Sequence, residues 1–130
     1  MTARVLIVED EESILLSLEF LLRKEGYDVA SARDGAAALR ALEQQPPDLV
    51  LLDVMLPLID GFELCASTRA NPALRHTRIM LVTARGREAE IARGMALGAD
   101  AYLTKPFSTR ELMEKVRALL DAPPPAQGLD

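Results

Sequence analysis

The chain has 130 residues, 49% of them hydrophobic, a net charge of −5 and a single cysteine. That is material for one domain with a real core; lone Cys65 excludes an internal disulfide, and the acidic balance argues against this domain gripping nucleic acid through its phosphates. No apolar stretch is long enough to span a bilayer and no basic-then-apolar leader precedes the first apolar run, so no membrane association and a cytoplasmic location are expected.

Val5-Leu6-Ile7-Val8 is a short continuous apolar run that ends in Glu9-Asp10, and it reads as a buried strand of a parallel sheet. Over residues 12–25, Ile14, Leu15, Leu18, Leu21 and Leu22 share one face of a helix that Gly26 stops. A second strand is expected at 28–32 and a short helix at 35–44, ended by Pro46-Pro47. Leu49-Val50-Leu51-Leu52 then runs into Asp53. Pro57, Asp60 and Gly61 turn into a helix carrying Phe62, Leu64 and Cys65, which Asn71-Pro72 closes.

Ile79-Met80-Leu81-Val82 ends at Thr83. The helix at 87–97 has a thin apolar face, and Gly94 inside it costs about 1 kcal/mol relative to Ala. Close packing on the sheet and a deliberately soft element explain that glycine equally well. Ala101-Tyr102-Leu103 ends at Thr104-Lys105-Pro106. The last helix opens on the capping box Ser108-Thr109-Arg110-Glu111 and should bury Leu112, Val116, Leu119 and Leu120. The domain is expected to occupy residues 1–121. Residues 122–130, which contain Pro123-Pro124-Pro125, read as a Pro-rich tail or linker stub.

Strand and helix alternate five times, which points to an α/β domain with helices on both faces of one doubly wound parallel sheet. Right-handed crossovers favour the flavodoxin-like strand order 2-1-3-4-5, which puts a switch point between the first and third strands. Ligands bind beyond the carboxyl ends there. Glu9, Asp10 and Asp53 should therefore converge, with Thr83 and Lys105 on the same rim. Three crowded carboxylates repel one another unless a cation intervenes, and an oxygen-only donor set suits Mg²⁺. His76 and Cys65 stand away from the strand ends, so zinc is not expected; Cys65 reads as a small buried hydrophobe and His76 as a surface residue.

A phosphoryl group has three equatorial oxygens, and this rim offers one partner each: Mg²⁺, the Thr83 hydroxyl and the Lys105 ammonium. Asp53, at the end of the central strand, is placed as a carboxylate nucleophile able to form an acyl phosphate. Plainer readings exist for single residues. Asp10 could cap the first helix, Lys105 could be a solvated loop lysine, Tyr102 could be packing alone, and Arg85 and Arg87 could be a solvated loop. The whole set argues against them together.

Val8-Glu9-Asp10, the run from Leu52-Asp53 through Pro57 to Asp60-Gly61, Val82-Thr83-Ala84, Gly98-Ala99-Asp100-Ala101-Tyr102 and Thr104-Lys105-Pro106-Phe107 occur in this order. Over residues 3–121 the chain resembles the CheY-like response-regulator receiver domains of two-component signalling. The resemblance implies that a phosphohistidine on a histidine kinase or phosphotransfer protein phosphorylates Asp53. It implies Mg²⁺ held by Asp10, Asp53 and the backbone carbonyl of Met55, with Glu9 acting through water, and a cis bond before Pro106. It also implies a switch in which Thr83 moves toward the phosphoryl oxygens and Tyr102 rotates inward from an exposed pose. The face of the fourth helix, fifth strand and fifth helix would then signal a downstream partner.

Met55 and Arg85 occupy positions that tune phosphoryl lifetime in that family; neither orients attacking water well, so a long lifetime is expected. DNA-binding relatives usually carry a second Asp after the Asp100 position and an Ala-Arg pair in the last helix, where Ala101 and Glu114-Lys115 stand here. Their dimer charge pairs are thus incomplete. A stand-alone or adaptor receiver, monomeric or weakly dimeric on phosphorylation, is expected; the alternative is the receiver part of a longer regulator with a DNA-binding or enzymatic output domain. An Asp-nucleophile phosphatase of the haloacid-dehalogenase kind would want a carboxylate where Met55 stands. A flavin site would want a phosphate-cradling loop where Glu9-Asp10-Glu11-Glu12 would repel phosphate. The chain reads as a phosphoacceptor switch that catalyses only its own phosphorylation and dephosphorylation.

Overall fold

A computed structural model describes residues 2–55, 60–84 and 86–121. The elements in order are β1 (Arg4–Val8), α1 (Glu12–Lys24), β2 (Asp28–Ala32), α2 (Gly35–Gln44), β3 (Leu49–Asp53), α3 (Gly61–Ala70), a 3₁₀ turn (Pro72–Leu74), β4 (Arg78–Ala84), α4 (Glu88–Ala96), β5 (Ala101–Lys105) and α5 (Thr109–Asp121). Among the described residues the strands form one parallel sheet ordered β2-β1-β3-β4-β5. The expected fold and strand order are those observed.

The central strands are apolar throughout because both their faces are covered; every residue of β3 is buried. Leu6, Val8, Val50, Leu52, Ile79 and Leu81 pack with Ala38, Leu42, Leu64 and Cys65 of α2 and α3. Val5, Ile7, Leu49, Leu51, Met80 and Val82 pack on the opposite side with Leu15, Leu18 and Leu22 of α1 and Leu112 and Val116 of α5. Successive strand residues alternate between the two faces. By that parity Asp53 and Lys105 share the α1–α5 face, while Thr83 and Tyr102 share the face that α4 covers.

Local signals explain most boundaries. Asp34 and Asp60 accept bonds from the backbone N–H groups of Ala37 and Glu63 and cap α2 and α3, and Ser108 accepts from Glu111 N–H. Gly26 ends α1 with a φ of +95°, a conformation that disfavours side chains. Gly94 is the buried contact of α4, and a Cβ there would overlap Leu81 Cδ1. Close packing therefore accounts for that glycine.

One expectation needs correcting. On α5 the buried residues are Leu112, Met113 and Val116, whereas Leu119 and Leu120 are only half-buried, since they lie in the last turns of the helix. The plainer reading of Asp10 as a helix cap is not observed: Glu11 holds that position, and its own side chain makes no capping bond. Pro57 and the 122–130 segment lie outside the described residues.

Candidate functional site

Register places the site. Val8 pairs with Leu52 and Asp53 with Val82, so the segment following β1 and the ends of β3 and β4 emerge together at one edge of the sheet. Glu9, Asp10 and Asp53 each bring a carboxylate oxygen within 4.8 Å of the other two. Glu9 and Asp53 are buried and Asp10 is exposed. Lys105 arrives from the end of β5, its Nζ 3.1 Å from Glu9 Oε1 and 3.3 Å from Asp53 Oδ2. The Lys105–Pro106 peptide is cis.

Backbone donors fix the buried acids. Asp53 Oδ1 accepts from the Met55 N–H at 2.9 Å, and Glu9 Oε2 accepts from the Glu11 N–H at 3.2 Å. Burial pushes the Glu9 carboxyl above its ordinary value, and the Asp53 charge adds to that; the Glu11 N–H and Lys105 only partly offset it. Burial alone would lower the Lys105 ammonium, but Asp53 and Glu9 outweigh it and hold it above its ordinary value. The pocket is thus an anionic trio with one embedded ammonium.

Thr83 lies beside it, on β4 one residue beyond Val82, the partner of Asp53. Its Oγ1 is buried and has no hydrogen-bond partner among the described residues. An orphaned hydroxyl of this kind costs about 1–3 kcal/mol and is a place for an incoming acceptor oxygen. The acids supply three hard oxygens in a cluster open to solvent at Asp10, a donor set that fits Mg²⁺.

The description "Response regulator receiver domain" matches residues 5–117. The chain belongs to that family. It is 45% identical over 120 residues to the alkaline phosphatase synthesis transcriptional regulatory protein PhoP of Bacillus subtilis, covering 92% of this chain and 49% of that one. It is 47% identical over 116 residues to the sensory transduction protein RegX3 of Mycobacterium tuberculosis, covering 89% of this chain and 50% of the relative. The chain therefore spans about half the length of the curated relatives it matches. Among solved structures, the Vibrio cholerae chemotaxis response regulator CheY4 aligns with a TM-score of 0.87 at 31% identity, over 92% of this chain and 100% of that one. Receiver domains are phosphoacceptor switches of two-component signalling rather than metabolic enzymes, and they generally bind Mg²⁺ in an acidic pocket.

In this receiver the residues singled out by sequence fall as follows. Glu9, Asp10, Asp53 and Lys105 meet in one pocket, with Thr83 at its edge. Met55 is 58% exposed and touches the pocket through its N–H. Tyr102 is half-exposed on the α4 face, its carbonyl accepting from Lys115 Nζ at 2.7 Å while the ammonium sits 4.8 Å from the ring centroid. Arg85 lies outside the described residues. Cys65 is fully buried and His76 exposed, as expected. No helix is long and apolar enough to cross a membrane among the described residues.

Sequence reasoning missed two arginines. Arg69 of α3 donates to the carbonyls of Gly98 and Thr77 at 2.7 Å each and pairs with Asp100, whose carboxylate also accepts from the Ile79 N–H at 2.8 Å. Arg33 donates to the Asp10 carbonyl at 3.1 Å. Nothing in the local spacing marks either one, since the fold alone brings them to their partners, the Asp10, Thr77 and Gly98 carbonyls and the Asp100 carboxylate.

Proposed function

We propose that this receiver accepts a phosphoryl group on Asp53 from a histidine-bearing kinase or phosphotransfer protein, with Mg²⁺ in the pocket. The carrying observation is the Lys105 ammonium held between Glu9 and Asp53, with a buried Thr83 hydroxyl, unpartnered among the described residues, one residue beyond the register partner of Asp53. Asp53 is the acceptor because its carboxylate ends the central strand and is oriented by the Met55 N–H. An Asp53 oxygen attacks phosphorus, the P–N bond to the donor imidazole breaks, and its electron pair leaves on nitrogen; an acyl phosphate remains. Asp10, Asp53 and the Met55 carbonyl, with Glu9 acting through water, would hold Mg²⁺, which would supply charge neutralisation. Lys105 trades its carboxylate contact for a phosphoryl oxygen, and Thr83 gains the acceptor it lacks.

A groove of about 650 Å³ between α1 and the turn after β5, lined by Ile14, Ser17, Leu21 and Phe107, opens beside Lys105. We assign the donor protein to that side. Signal leaves on the other face: Thr83 and Tyr102 share the α4 side of the sheet, so movement of the hydroxyl opens space toward which Tyr102 can turn. Met55 and Arg85, neither able to orient water well, leave the acyl phosphate long-lived.

Two output readings remain. Ala101 and Glu114-Lys115 favour a stand-alone or adaptor receiver, monomeric or weakly dimeric. The likeness to transcriptional regulatory proteins about twice this span favours a receiver over residues 1–121 that reports through a linker beginning at 122 to a tethered output domain. Incubation with a small-molecule phosphodonor and Mg²⁺ tests the switch itself. Self-limited labelling supports it; donor consumption with no labelled protein accumulating would make the protein a phosphatase.

A further inference from the structure

We propose that Arg33 is a positioning residue for the cation pocket, holding the Asp10 segment in the geometry that the metal requires. This inference rests on the reading of Glu9, Asp10 and Asp53 as a Mg²⁺ site. Asp10 is the exposed member of the trio and sits outside regular structure, between the end of β1 and the start of α1. Its neighbours are fixed by other means: Glu9 N–H donates to the Ala32 carbonyl at 3.0 Å, and Glu9 Oε2 accepts from Glu11 N–H. Asp10 itself is tied by its carbonyl, which accepts from Arg33 Nη2 at 3.1 Å.

The root of Arg33 is rigid. It follows Ala32, the last residue of β2 and the register partner of Val8, and it precedes Asp34, which caps α2 through Ala37 N–H at 2.8 Å. The two-residue connection Arg33-Asp34 therefore has little freedom, and the guanidinium reaches from it across the end of the sheet to Asp10. Groups behind metal ligands orient them in the same way elsewhere. Lys105 lies against Glu9 and Asp53, so Arg33 serves the remaining acid.

Two effects of this arginine oppose each other, which makes the proposal decidable. Its positive charge at the rim weakens Mg²⁺ binding, whereas its hold on the Asp10 backbone strengthens it. Calorimetric titration of Mg²⁺ into wild type, Arg33→Ala and Arg33→Lys separates them. Positioning predicts that Arg33→Ala lowers Mg²⁺ affinity by about three- to tenfold, less than the tenfold and more seen for buried supporting groups. Arg33→Lys keeps the charge without the reach and should stay weakened. The metal-free thermal midpoint of both variants should match wild type, because the side chain is exposed. An affinity that rises or stays constant in Arg33→Ala overturns the proposal, as does a metal-free midpoint lowered by more than a few degrees, which would make the role structural. A wild type that binds no Mg²⁺ would instead overturn the reading of the pocket itself.

Discussion

Glu9 is the residue whose surroundings disagree most with its charge. It is nearly fully buried, it faces Asp53, and one ammonium serves both. Its carboxyl therefore titrates above 4.5 in the folded protein, which holds the proton more tightly than the unfolded chain does. The resulting stability is present below about pH 4.5 and is lost as pH rises past the folded value. Glu9→Gln keeps the shape and cannot ionise. In metal-free buffer its thermal midpoint should exceed that of wild type by a few degrees near neutral pH, and the gap should close as both are taken toward pH 4. Scanning calorimetry at several pH values reads this directly. Asp53→Asn removes a second anion and should likewise raise the metal-free midpoint, with the gain shrinking when Mg²⁺ is added. A midpoint that falls would mean that Lys105 already balances the acids. Legibility at this scale followed the chemistry: Glu9, Asp10, Asp53, Thr83 and Lys105 announce themselves at strand ends, whereas Arg33 and Arg69 bond to backbone carbonyls and carry no such mark.

Among the elements, α4 separates local propensity from packing. Propensity alone says that Gly94→Ala stabilises the helix by about 1 kcal/mol. Packing says the reverse, because the added Cβ would overlap Leu81 Cδ1, and Leu81 is fully buried. Overpacked cores lose about 1–3 kcal/mol, so the expected outcome is net destabilisation, seen as a lower urea midpoint. A stabilised variant would return α4 to the reading of a soft element. The central strands β1, β3 and β4 were legible because strands covered on both faces are continuous apolar runs, and the right-handed crossover rule then fixes the strand order. The end of α5 was not: Leu119 and Leu120 continue the apolar pattern where burial is already fading, while Met113 is buried instead. Periodicity records which face is apolar, not how far the neighbouring structure reaches.

At the scale of the whole molecule, the sheet works as a fixed frame with two differently used faces. Glu9, Asp53 and Lys105 gather toward the α1–α5 side, where a groove gives access, and Thr83 and Tyr102 lie toward α4. On the proposed function, a chemical signal taken at one end of the sheet would change the α4–β5–α5 face. On that same proposal, Asp53 is the phosphoacceptor of a Mg²⁺-dependent pocket. Intact-mass analysis after incubation with acetyl phosphate tests that most directly. Wild type with Mg²⁺ should gain the mass of one phosphoryl group and no more, while wild type with chelator and Asp53→Asn with Mg²⁺ should gain none. Equal labelling of Asp53→Asn, or labelling indifferent to Mg²⁺, would contradict it.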